Sequence, residues 1–230
     1  MNKLISSIVI IALIAFSAIC VFAFDIPLSQ PPAPKATDPA CGKVYIDEDY
    51  CCHISVVGRV GEWEVSSLAS EFSKLPLPIQ DDFISRSGTI YITSLEIGEV
   101  LDIYYGMDIE PNEDFTGFFI ENASGCPEIW ISGKPGAINS SALHEFGHFF
   151  DYNGGWLSSS DEFGFIYGSE NHFFGSYFGA SGYFTSDRTE YFAETFSCYI
   201  NSPELLKEHC PLTFAFLALG SGAANAPASP

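Results

Sequence analysis

Apolar and polar positions along this chain follow two periods. Between 62 and 75, Trp63, Leu68, Phe72 and Leu75 recur at helical spacing, and Pro76-Leu77-Pro78 marks the end of that helix. Three short runs, Thr89–Thr93, 115–120 and 128–132, are rich in β-branched and aromatic residues. Gly, Asn, Asp and Pro separate them, which predicts three strands. A helix follows, with Asn139, Ser140 and Ser141 offering N-cap side chains. Leu143, Phe146, Phe149 and Phe150 give it a surface to bury, and Asn153-Gly154-Gly155 stops it. Another helix is expected over 189–201, where Tyr191, Phe192, Phe196 and Tyr199 recur and Pro203 lies just beyond. Helix, strands and two helices predict one α+β domain over 41–219, long enough for a substantial core. Between the last two helices, 163–184 is crowded with Phe, Tyr and Gly. It reads equally as a cleft wall or lid and as a long ordered loop filling a small core of its own.

The ends of the chain read differently. Residues 1–23 have the form of a secretory signal: Lys3, an apolar run to about Ile19, then Val21-Phe22-Ala23 as a cleavage site. A retained anchor is the alternative. Residues 24–40 are a Pro-rich linker, and 220–230, made of small residues and proline, are expected to be disordered. Cleavage after Ala23 leaves six cysteines, an even number that suggests three disulfides in a secreted, extracellular protein. Cys198–Cys210 is the first choice among the pairings. Asn122 and Asn139 open glycosylation sequons. The formal net charge is −20, which argues against nucleic acid and anionic membrane surfaces as partners. No stable membrane association is expected once the signal is removed.

The chemistry concentrates in two strings. HEFGH occupies 144–148, and EYFAE occupies 190–194. On a helix, residues four apart lie one above the other, so His144 and His148 can aim two imidazoles at one point. Neutral imidazole nitrogens suit Zn²⁺, and Glu145, one residue round, can reach a water there as general base. Asp151 and Gly154 stand where a metzincin would need Gly and His, so a third ligand must come from elsewhere. Glu190 and Glu194 share one helical face. Two carboxylates so placed repel unless compensated, and a metal with a ligand imidazole would do so. One would bind zinc, and the other would accept the N–H of a ligand histidine. His172 could serve as an oxyanion donor but is more simply a solvated loop residue; His53 and His209 have no partner at ligand spacing.

With these strings in place, the chain resembles the zinc-peptidase domain of anthrax lethal factor and the related Pro-Pro endopeptidases. The resemblance is strongest over 141–196 and extends weakly to GTIYITS at 88–94 and CPLTFAFL at 210–217. It implies one zinc per chain held by His144, His148 and Glu190, Glu145 as base, and Glu194 behind a ligand histidine. Tyr183, seven residues before Glu190, falls at the position of a site tyrosine in that family. There it would donate a hydrogen bond to the tetrahedral oxyanion. The implied fold is zincin-like: a small mixed sheet whose edge strand, here 115–120, lies above the HExxH helix, with a second helix carrying the Glu ligand. The implied partner is a polypeptide substrate. Two rival readings are a non-catalytic binding module on the same scaffold and a secreted zinc protease with an Asp ligand, for which Asp151 and Asp187 are the candidates. An intact base and ligand set counts against the first, and the lack of a GTxxD string against the second.

Overall fold

The computed structural model describes residues 41–47, 52–107, 115–179 and 187–221, with the backbone alone for 41–47 and 52. The expected signal, the linker, Cys51, Tyr183 and most of the expected tail lie outside the described residues.

The sheet has five strands: β1 (Cys41–Asp47), β2 (Cys52–Val57), β3 (Thr89–Thr93), β4 (Gly117–Glu121) and β5 (Pro127–Ser132). Their spatial order is β1-β2-β3-β5-β4. The central three are parallel, while β1 and β4 run antiparallel on the two edges, so the sheet is mixed. Side chains alternate across a strand. In register, Ile54, Ile90 and Ile129 therefore form a row on one face, and Tyr91, Trp130 and Phe118 a row on the other. The isoleucine face meets α1 (Glu62–Ser73), α2 (Leu77–Ser85), α4 (Ala137–Asn153) and α6 (Arg188–Asn201). Phe72, Phe83, Phe146, Phe149 and Phe192 from these helices fill the main core. On the opposite face Trp130 stacks on Tyr91 at 4.1 Å, beneath α3 (Ile97–Tyr105). Both faces of β5 are thus covered, and all six of its residues are buried. The three predicted strands and the three predicted helices are present, in an α+β arrangement.

Several elements differ from expectation. The segment before Val60 forms β1 and β2. Pro76 and Pro78 end α1 but also open α2, since proline in a first helical turn forfeits no hydrogen bond. Three other helices were not anticipated: α3, α7 (Pro203–His209) and α8 (Pro211–Gly220). The aromatic/Gly segment is mostly α5 (Asp161–Phe178), capped by Ser160, whose hydroxyl accepts the Phe163 N–H; neither a lid nor a loop describes it. α4 starts earlier than its serines suggested. Gly136, at φ 86°, turns the chain into Ala137, so Ser140 and Ser141 sit inside the helix rather than capping it. Cys126, Cys198 and Cys210 are free thiols in this structure, so the Cys198–Cys210 pairing is not seen here. Burial, and then the nearby Glu194 charge, push the Cys198 thiol up to about 12; burial and Glu170 push Cys210 up to about 11. Among the described residues no helix is long and apolar enough to cross a membrane.

Candidate metal centre

α4 and α6 pack along each other, and one residue allows them to approach closely. A Cβ on Gly147 would stand 2.7 Å from the Ala193 Cα and 2.9 Å from its carbonyl oxygen. Glycine inside a helix costs about 1 kcal/mol relative to alanine. Here it lets the α6 backbone lie against the turn that carries the histidines. Phe150, Phe192 and Phe196 continue the contact on the buried side.

The result is a cluster built from both helices. His144 Nε2 and His148 Nε2 are 3.1 Å apart. Glu190 Oε2 lies 3.2 Å from His144 Nε2, and Oε1 lies 3.7 Å from His148 Nε2. On the far side of its ring, His144 Nδ1 faces Glu194 Oε2 at 3.1 Å. An Nδ1–H donated to that carboxylate leaves the His144 Nε2 lone pair directed at His148 and Glu190. Two lone-pair nitrogens and a carboxylate converging this way repel one another unless a cation or proton lies among them. Tetrahedral zinc with bonds of roughly 2.0–2.1 Å would space its ligand atoms about 3.3–3.4 Å apart. The observed separations bracket that value, so these residues fit a zinc ion.

The structure therefore brings together four of the predicted site residues, His144, His148, Glu190 and Glu194, with Glu145 beside them. Glu145 is 5 % exposed and lies against the edge strand: it accepts a hydrogen bond from the Phe119 N–H, and a Cβ on Gly117 would be 3.0 Å from its Oε1. The start of that strand is tied to α4 by Thr116 and Ser141, whose hydroxyl oxygens are 2.5 Å apart. β4 occupies the sheet edge, as expected for 115–120. Ser132 N donates to Thr116 O. Alternation along an antiparallel pair then turns the backbone groups of Gly117, Phe119 and Glu121 away from β5, toward the cleft.

Electrostatics distinguish the three α4 groups. Burial disfavours the His144 imidazolium, but hydrogen bonds to Glu190 and Glu194 and the charge of Glu145 outweigh it, holding its pKa up at about 10. For His148 burial prevails over the charges of Glu190 and Asp187, and its pKa falls to about 4. Its neutral form is the one that ligates metal. Burial pushes Glu145 up to about 8, with Glu190 adding to the rise and His144 and the Phe119 N–H opposing it.

The alternative aspartates are engaged elsewhere. Asp151 is buried and accepts from both the backbone N–H and the hydroxyl of Ser158. Asp187 caps α6, its Oδ1 accepting from the N–H groups of Thr189 and Glu190. His172 is an exposed α5 residue against Phe173, and His209 stacks on Tyr177. Sequence reasoning missed Gly147, the Phe119 N–H and the capping role of Asp187. An unexplained glycine inside a helical pattern and the D-x-x-E spacing were the available signals for the first and last.

Comparison with known proteins is consistent with this geometry. The family model described as anthrax toxin lethal factor, N- and C-terminal domain, matches residues 105–219, half of the chain, including β4, α4 and α6. The chain belongs to that family. No curated protein matches it significantly. Among solved structures, the Pro-Pro endopeptidase PPEP-2 from Paenibacillus alvei is similar with a TM-score of 0.58 at 22 % identity. That match covers 72 % of this chain and 96 % of the other. It shows that this lethal factor family member shares the fold of that endopeptidase. The match supports the zincin-like expectation.

Proposed function

We propose that this chain is a secreted, zinc-dependent metalloendopeptidase. The observation that carries the reading is the convergence of His144 Nε2, His148 Nε2 and a Glu190 carboxylate, with a second, buried carboxylate, Glu145, beside them. His144, His148 and Glu190 hold one zinc ion. Glu194 accepts the His144 Nδ1–H and so fixes which nitrogen carries the lone pair. Zinc, when bound, supplies a Lewis acid that polarises the scissile carbonyl, favours deprotonation of water and stabilises the ionised form of Glu145.

The rest of the chemistry belongs to the protein. An extended polypeptide adds to the β4 edge through the outward backbone groups of Gly117 and Glu121 and the Phe119 carbonyl, gaining affinity with little demand on sequence. Its scissile bond then lies over the α4 histidines. Glu145 takes a proton from the attacking water and delivers it to the leaving amine, a role typically worth about 10²–10⁴-fold. Its raised pKa suits a group that both accepts and returns a proton. Tyr183, assigned through its position seven residues before Glu190, donates a hydrogen bond to the developing oxyanion. The expected leader over 1–23 directs the protein out of the cell.

The test is incubation of the purified protein with a degenerate peptide library, with and without a chelator, followed by mass spectrometry. Cleavage within peptides that stops with chelator and returns with zinc is expected. No cleavage of any peptide by zinc-loaded protein would contradict the assignment.

A further inference from the structure

Glu190 occupies a demanding place in its helix. It is the third residue of α6, within the turn whose N–H groups lack intrahelical partners and which frays most readily. Packing anchors α6 only beyond that turn: Tyr191, Phe192 and Ala193 are fully buried, and the Tyr191 hydroxyl meets Thr213 Oγ1 at 2.9 Å. Upstream, Arg188 is exposed, Thr189 is partly buried, and the Glu190 side chain is 14 % exposed. What fixes this first turn is Asp187. Its Oδ1 lies 2.8 Å from Thr189 N and 3.3 Å from Glu190 N, and its carbonyl accepts the Tyr191 N–H at 3.0 Å.

The string Asp187-x-x-Glu190 has the form of a capping box. In such a box the glutamate would turn back toward the N-cap backbone. Here both Glu190 oxygens lie within 3.7 Å of imidazole nitrogens, so the glutamate half is directed to the histidines and the aspartate half caps the helix. Asp187 is close enough for its charge to act on His148 and on Asp151, which places it at the border of the centre. Glu194, one turn further along, has no comparable dependence, because it follows the buried anchor.

We propose that Asp187 is a positioning residue for the metal centre: by holding the Thr189 and Glu190 amides at the start of α6, it fixes the Glu190 carboxylate against the two imidazoles. The inference rests on the zinc reading above, and it assigns to this position a capping role in place of ligation.

The test measures zinc affinity of the whole protein by competition with a chromogenic chelator, alongside the thermal midpoint of the metal-free form. Asp187→Ala is expected to weaken zinc binding by about 10–100-fold, the range for groups that orient ligands. Asp187→Asn, which keeps a cap of nearly equal strength, is expected to stay within about threefold of the native chain. Ser160→Ala is the control, because it removes the equivalent cap from α5. It should lower the midpoint by about 2–4 °C, as Asp187→Ala does, and leave zinc affinity unchanged. Native affinity in Asp187→Ala would overturn the inference, as would an Asp187→Asn variant as weak as Asp187→Ala. If the native chain itself takes up no zinc, the zinc reading fails first.

Discussion

α4 and α6 both deliver site residues at i and i+4 spacing, yet they do so in different surroundings. On α4, Glu145 is 5 % exposed beneath the sheet edge, and the His144 and His148 side chains are 9 % and 13 % exposed. The Glu190 and Glu194 side chains are 14 % and 25 % exposed, on a helix whose first turn is held by one cap. The difference teaches a division of labour. α4 holds its groups in a dry setting, where burial moves their pKa values and the proton chemistry resides. α6 brings negative charge to the histidines through Glu190, as sheltered as His148, and through Glu194 on a wetter flank, and its task is placement of charge. Gly147 is the point at which the two helices meet.

The largest effect that could break this comparison lies on α6. Glu190→Gln should lose most zinc affinity, because it deletes the charge beside both Nε2 atoms. Glu194→Gln should cost only about 10–100-fold, the usual effect of a group that orients a ligand. Metal titrations of the two variants check this, and the reverse order would mean that the ligand is Glu194, one helical turn beyond Glu190.

A smaller effect is expected at the contact itself. Gly147→Ala adds a methyl group to a gap of 2.7 Å against backbone, so the helices must separate. Despite a gain in helix propensity, a net destabilisation of about 1–3 kcal/mol is expected from such overpacking. Urea titration of the metal-free protein measures it, with weakened zinc binding in parallel. Unchanged stability would show that α4 and α6 have room to spare.

The third effect is a pH dependence specific to α4. Glu145 has a folded pKa raised from 4.5 to about 8 in the metal-free protein. A raised pKa means that its stabilising contribution is whole below about pH 4.5 and is lost as pH rises through about 8. Metal-free Glu145→Gln should escape that loss. Its stability relative to the native chain should therefore improve between about pH 5 and pH 9, by on the order of a few kcal/mol at most. Parallel stability–pH curves for the two proteins would show that Glu145 is not buried as described.

Much of this site was legible because its chemistry is local. HEFGH places three groups within five residues, and EYFAE repeats the i, i+4 logic, so neither needs tertiary knowledge to be read. The strands on either side of the site were also legible, since β-branched and aromatic runs between turn residues have few other uses. α5 was not. Its buried residues Phe163, Ile166, Glu170 and Phe174 keep helical spacing, but Phe165, Phe173 and Tyr177 are exposed on the other side and erase the contrast. Glu170 also sits in the buried row because its carboxylate accepts the N–H groups of Leu212 and Thr213, a long-range partner that no local pattern shows. The start of α4 was misplaced for a similar reason. Ser140 and Ser141 look like caps, but Gly136 makes the turn, and Ser141 bonds across to Thr116, just before β4. The Cys198–Cys210 pairing is the first choice because it would tie the Glu190 helix to the C-terminal segment; both thiols are free in this structure.

The most direct test of the division between base and ligands is a paired measurement on Glu145→Gln: zinc content and peptide-bond cleavage from the same preparation. Zinc is expected at the native level, about one ion per chain, with turnover reduced by at least about 10²-fold, because the base is removed and every ligand remains. A variant that loses its zinc, or one that keeps native turnover, would contradict the assignment of Glu145 as the base beside a His144–His148–Glu190 metal centre.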